Sequence, residues 1–265
     1  MPRKTSGSAK SASRRGYSAP ALEKGMDILE LLADADSGLT VSEISQRLKR
    51  RMSELFRIIV VLEQRQWLQK DPESSRYSVS YHVLKLAHRG TPARSLTLTA
   101  APVMHELSTR MNQSCHLVVR SGTQGLVILR HENLKRHANL SVRLGAVINL
   151  MTSCSGHILL AHMEPGDLET LLKLVPRPWA ISRAKLDQSL TRIRRRGFEI
   201  QRSTITAGVT DISYPIRGFD GSVVAALTIP YLHVLDDSLP TTVEQTRRLL
   251  QEATHRISLS LGGPR

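Results

Sequence analysis

Cys154 and His157 stand three residues apart in a short apolar stretch, SCSGHILLAH, that follows small residues. A thiol at the first turn of a helix is made more acidic by the free N–H groups there, which is how a cysteine becomes a nucleophile. Three residues along one helix is, however, poor geometry for an imidazole to take that proton. No glycine-framed nucleophile elbow and no third orienting group accompanies the pair. The histidines 116, 131, 137 and 157 and the cysteines 115 and 154 form no HxxxH or CxxC spacing, so no metal centre or cofactor is expected. Two buried thiols are the ordinary reading of Cys115 and Cys154.

Basic chemistry is better organised. Arg50, Arg51 and Arg57 flank and enter a stretch, Thr40 to Trp67, that reads as two short helices joined by a tight connection. Thr40 and Glu43 have the spacing of a capping box. Val41, Ile44 and Leu48 make one apolar stripe, and Leu55, Ile58, Ile59 and Leu62 make the next. The second helix leaves Arg51, Met52, Ser53, Glu54 and Arg57 outside the core, where an arginine can hold phosphate or read guanine. Gln69 to Val79 reads as strand, turn and strand, a wing bearing Lys70, Ser75 and Arg76. A helix-turn-helix with a wing presents its second helix to the major groove. The DNA-contacting set is therefore Thr40, Arg50, Arg51, Met52, Ser53, Glu54, Arg57, Lys70, Ser75 and Arg76. Glu54 is the discordant member, since a carboxylate there repels phosphate unless a cytosine amino group meets it.

The chain has 265 residues and a formal charge of +14, with 40% apolar and 4% aromatic residues. Such a balance favours polyanion partners. Residues 1–90 hold 16 basic and 10 acidic residues, and residues 91–265 hold 21 and 13, so charge alone does not locate a DNA site. There is no run of roughly 18 apolar residues and no apolar segment behind the basic N-terminus. No membrane partner and a cytoplasmic location are expected, with two cysteines suited to a reducing compartment.

Residues 1–17 are Ser/Gly/Ala-rich and basic, read as a disordered arm that either tracks phosphates or acts as a solubilising tail. Residues 18–80 form the winged helix-turn-helix domain, with a first helix over 20–35 burying Leu22, Met26, Leu29 and Leu32. Residues 81–93 form a linker helix. Residues 94–265 read as an α+β domain: a helix over 95–112, a hairpin from Cys115 to Arg130, a strand at Leu140 to Arg143, helices from Ser153, Leu168 and Leu186, three strands between Phe198 and Ile229, and a closing helix from Val243. A turn before the Ser153 helix would offer free N–H groups beside Cys154, Ser155 and Gly156 to an anion.

Several motifs in order resemble the IclR family of bacterial transcription regulators, over roughly residues 18 to 263. They are Leu29-Glu30-Leu31-Leu32, Ser53 with Arg57, Trp67, Asp71, Tyr77-Ser78-Val79, the run from Thr152 to Ala161, Ile193 to Phe198, and Gly208-Val209 with Ile212, Pro215 and Ile216. The resemblance implies a GAF-like effector-binding domain with a curved antiparallel sheet, and a linker helix that helps pair protomers as a dimer or tetramer. It implies an effector pocket in which Asp211, Thr228 and Pro230 face Cys154, Ser155 and Gly156, with Leu126 and Leu140 as apolar lining. Asp211 stands where many members have a neutral group, and Pro230 where many have a hydroxyl. The expected activity is operator binding modulated by a small molecule, without catalysis. The rivals are a cysteine-dependent enzyme using Cys154 and a basic protein that binds DNA without sequence preference.

Overall fold

The computed structural model describes residues 18–90, 93–132, 140–234 and 239–264, so the basic arm, His137 and the Thr91-Pro92 break lie outside it. The chain divides into two compact units, Met1–Thr91 and Pro92–Arg265.

The first unit is three helices, α1 (Pro20–Ala33), α2 (Val41–Leu48) and α3 (Met52–Gln64), a two-stranded wing of β1 (Leu68–Lys70) and β2 (Tyr77–Val79), and α4 (Tyr81–Gly90). Ile44 of α2 and Leu55 and Ile59 of α3 meet Ile28 and Leu32 of α1, and Leu39, Leu68 and Tyr77 complete the core. Leu22 and Met26, expected inside, are exposed, and the buried row of α1 is Gly25, Ile28 and Leu32. α1 carries apolar residues on two faces, and the face that is buried is the one where Gly25 lets α3 close in. A Cβ on Gly25 would lie 3.6 Å from Ile58. Leu39 and Tyr77 exchange backbone hydrogen bonds of 2.9 and 2.8 Å, which fastens the wing to the turn before α2.

The second unit is a six-stranded antiparallel sheet in the order β5-β4-β3-β8-β7-β6, with β3 Cys115–Ser121, β4 Gln124–His131, β5 Val147–Ile148, β6 Glu199–Arg202, β7 Val209–Arg217 and β8 Val223–Leu232. One face carries α5 (Ala93–Met111) and α9 (Val243–Ser260), and the other carries α6 (Cys154–Ala161), α7 (Pro165–Leu174) and α8 (Arg183–Arg196). α5 runs through Pro102 without a break. Leu140 to Arg143, expected as a strand, is irregular. The pairing to β4 is made just after it, where Gly145 turns the chain at φ 79 and Val127 donates to the Ala146 carbonyl at 3.0 Å. Pro165, expected to end a helix, sits in the first turn of α7, where its missing N–H costs no bond.

Candidate DNA-reading surface and effector pocket

In the first unit the capping box forms as the spacing predicts. The Thr40 hydroxyl accepts from the Glu43 N–H at 3.3 Å, and the Glu43 carboxylate accepts from the Thr40 N–H at 2.7 Å. The same carboxylate takes both arms of the Arg76 guanidinium, at 2.9 and 3.0 Å, while Arg76 also donates to the Gly38 carbonyl at 2.9 Å. The Thr40 backbone bond first, and Arg76 next, hold Glu43 below the usual carboxylate range. Thr40 and Arg76, expected at DNA, are thus committed to a knot that locks the wing to α2.

Arg50 pairs with Asp27 of α1 at 3.3 Å. Glu54 is met by Lys24 at 2.8 Å, and that bond holds its carboxyl below the usual range. The repulsion expected from Glu54 is therefore offset within the unit. Met52, Ser53 and Arg57 remain exposed on the first turns of α3, and Arg57 makes no ion pair with another described residue. Phe56, not picked out from the sequence, is 51% exposed beside them. An aromatic there can cover a thymine methyl. Its signal was a bulky apolar residue off the 3.6-residue stripe. On the wing, Lys70 lies 5.8 Å from the Tyr77 ring centre, and Ser75 stands at φ 55 in the tip turn that Asp71 organises by accepting from the Ser74 N–H at 2.7 Å.

In the second unit a cavity of ≈ 420 Å³ opens between the start of α6, the β6–β7 loop and the sheet. Leu140, Cys154, Ser155, Asp211, Thr228 and Pro230 all line it. Leu126 and Gly156 do not. Leu126 pairs with Val119, whose side chain packs on the α5–α9 face, so strand alternation turns it away from the pocket. Gly156 is seated against backbone instead: a Cβ there would lie 2.5 Å from both Cα and the carbonyl oxygen of Leu150. Its N–H is already taken by the Ser153 hydroxyl at 3.0 Å. A larger open cleft of ≈ 790 Å³ beside α9 is lined by Arg196, Arg217 and Arg248. Those arginines are tied to Glu199, the Gly221 carbonyl and Glu244, so the smaller cavity has the better claim to a ligand.

His116 is the lining residue that the sequence did not yield. It lies opposite Thr228 on the neighbouring strand, is 5% exposed, and its Nδ1 has no hydrogen-bond partner among the described residues. Burial pushes its pKa down to about 4, so the ring is neutral at physiological pH. Ser141 Oγ, which lines the same cavity, and His157 Nδ1, which does not, are likewise without a hydrogen-bond partner among the described residues. Buried polar groups are almost always paired, so the two atoms at the cavity are free to meet a ligand or water. The Thr228 hydroxyl bonds Ser213 at 2.8 Å.

Cys154 behaves opposite to the nucleophile expectation. It is 1% exposed and its thiol donates to the carbonyls of Glu199 at 3.4 Å and Asp211 at 3.5 Å. Burial raises its pKa well above the ordinary thiol value, with the Asp211 and Glu199 charges adding to the shift. His157 Nε2 meets the Met151 carbonyl at 2.9 Å. Cys115 is pushed up to about 12 by burial and packs on the other face of the sheet, so the two thiols do not form a pair.

Burial also raises the Asp211 pKa to about 6, against the pull of the Ser203 hydroxyl. A carboxyl with a folded midpoint above its unfolded one, ~3.9, takes up a proton on folding between those values. The unit therefore loses stability as pH rises from about 4 to 6 and stays at the lower level above that. Asp211→Asn, which cannot ionise, is expected to stabilise the unliganded protein at pH ~7.5 by about 1–2 kcal/mol, with the gain shrinking towards pH ~4. Denaturant titrations of both proteins across that range check this, and a variant less stable at pH ~7.5 would contradict it.

Comparison with known proteins agrees with both units. The model "Bacterial transcriptional regulator IclR C-terminal" matches residues 91–258, and "IclR helix-turn-helix domain" matches residues 21–72. The chain is 26% identical over 251 residues to the HTH-type transcriptional regulator XynR of Escherichia coli K12, covering 92% of this chain and 97% of that one. It is 26% identical to the HTH-type transcriptional repressor AllR of Salmonella typhi, covering 97% and 94%. Among solved structures, an IclR homolog from Microbacterium hydrocarbonoxydans complexed with 4-hydroxybenzoate superposes with a TM-score of 0.76 at 26% identity, over 91% of this chain and 98% of that one. The helix-turn-helix unit and the sheet-bearing unit are thus both found in relatives, and the chain belongs to the IclR family: it is a DNA-binding transcription regulator with a C-terminal effector domain.

Proposed function

We propose that Arg57, Ser53, Met52, Phe56 and Arg51 read operator DNA, that Lys70 and Ser75 of the wing hold phosphates, and that a small molecule in the cavity beside Asp211 and His116 sets the affinity. The carrying observation is the unpartnered, buried His116 Nδ1 in a hydroxyl-lined pocket. Thr40, Arg50 and Arg76 support the reading head through intramolecular bonds. α4 leaves Tyr81 and Leu84 exposed one turn apart, an apolar pair suited to contact with a second copy in the cytoplasm. The effector acts by preferring one arrangement of the paired protein, which biases the spacing of two heads.

Arg57→Ala is expected to weaken operator binding by about 5- to 150-fold, the range of one good bidentate contact, ~1–3 kcal/mol, with the melting profile unchanged. Fluorescence anisotropy with operator and with scrambled DNA reads this. Equal loss on both sequences would reassign Arg57 to phosphate, and no loss on either would remove it from the interface. A thermal-shift screen of the full chain then seeks the effector, since a ligand at 100 times its Kd adds ~2.7 kcal/mol. An effector must also change operator affinity. A folded protein that responds to nothing, and binds all DNA alike, would favour the sequence-independent reading.

A further inference from the structure

Among the described residues, the pocket's lining holds one carboxylate, Asp211, and no lysine or arginine. We infer that it takes an uncharged or amine-bearing polyhydroxyl molecule of sugar size, rather than a free carboxylate, with Asp211 and His116 as the residues that select it. The inference rests on the reading of this cavity as the effector site.

Three features carry it. The first is charge. Among the described residues, an anion beside Asp211 would find only helix N–H groups to balance it, and Ser153 has already taken the Gly156 N–H of that first turn. The second is the unmet pairing. A ligand hydroxyl can donate or accept, so it serves the neutral His116 ring whichever nitrogen carries the proton, and it serves Ser141 Oγ too. A carboxylate can only accept, and two of the available partners, the Asp211 carboxylate and the unprotonated ring nitrogen, do the same. The third is composition. The lining mixes hydroxyl side chains with Leu140, Val142, Ile148 and Ile205. A molecule that carries both C–H and hydroxyl groups matches that mixture. The ≈ 420 Å³ volume is ample for a six-carbon molecule.

Asp211 is surrounded by groups that leave its charge free to answer a ligand. Ser203 donates to it, Gln201 and Pro230 are its uncharged cross-strand neighbours, and the Cys154 thiol and the neutral His116 ring line the same cavity. The carboxylate of Glu199, also on β6, is held by Arg192 and Arg196.

Equilibrium dialysis of the full chain at about 1 mM probe compares labelled sorbitol, D-glucosamine, D-gluconate and 4-hydroxybenzoate. Sorbitol or glucosamine is expected to be retained in preference to both acids. Asp211→Asn should weaken that binding by roughly ten- to a hundredfold. A donor to the ionised carboxylate should also bind about tenfold more weakly at pH ~5 than at pH ~7.5, because a group with a midpoint of about 6 is then about one-tenth ionised. Preference for either acid, growing tighter as pH falls, would overturn the ligand class while leaving the pocket as the effector site. Retention of none of the four would overturn the class as well. A retained probe indifferent to both Asp211→Asn and His116→Phe would place binding elsewhere and remove the pocket reading with it.

Discussion

Gly156→Ala is expected to lower the melting temperature of the C-terminal unit by about 2–12 °C and to abolish effector binding. A methyl group there would meet the Cα and carbonyl oxygen of Leu150 at 2.5 Å, and backbone cannot swing aside as a long side chain can. α6 is buried along its whole length, so it cannot slide outward without opening the packing of Ile158 and Leu160 beneath it. Overpacking of this kind costs ~1–3 kcal/mol, and each kcal/mol moves the midpoint of a domain this size by ~2–4 °C. The first turn of α6 forms one wall of the pocket, so the displacement also moves Cys154 and Ser155. Trp179 lies in this unit and Trp67 in the other, so a Trp67→Phe background makes fluorescence report on the C-terminal unit alone. An unchanged Trp179 transition would show that the Leu150 turn yields freely.

Removing both Arg192 and Arg196 is expected to cost more than removing Glu199. The Glu199 side chain is 1% exposed, accepts from Arg192 at 3.1 Å and pairs with Arg196 at 3.1 Å, whereas the arginines remain 42% and 31% exposed. The double alanine variant strands a buried carboxylate, a loss of ~3–5 kcal/mol when a buried pair is broken from one side. Glu199→Gln leaves two arginines that water can serve, and its cost is expected to be about 1 kcal/mol. Chemical denaturation of the two variants should rank them in that order. The reverse ranking would mean that the Glu199 side chain finds other donors once the two arginines are gone.

Local grammar carried much of the fold into the sequence. The capping box at Thr40, the apolar stripes of α2 and α3 and the hairpin of β3 and β4 are all settled by residues within a few positions of one another. What escaped depends on distant partners. Leu22 and Met26 have the right spacing to be core, and only the position of α3 decides that Gly25 and Ile28 face inward instead. Arg76 looks like a wing residue reaching for phosphate until Glu43, 33 residues earlier, is found beneath it. Leu126 could not be assigned to a face without its register against Val119. His116 was hidden for the same reason. Alternation along β3 separates it from Leu117, but nothing short of the pairing with β8 shows that it meets the pocket. Six of the eight positions expected at the pocket line the cavity, whereas its unpaired atoms cannot be read from the sequence.

The two units also differ in when they can be completed. β3 pairs directly with β8, so His116 and Thr228 become neighbours across a separation of more than a hundred residues. The pocket floor is therefore built from the first long strand of its unit and the last, and no shorter portion of the chain contains both. The reading head is closed by contacts within its own first 90 residues. Local contacts form fast and distant pairings form late, and domains fold in the order they leave the ribosome. Each newly made copy thus acquires the part that recognises DNA before the part that answers an effector.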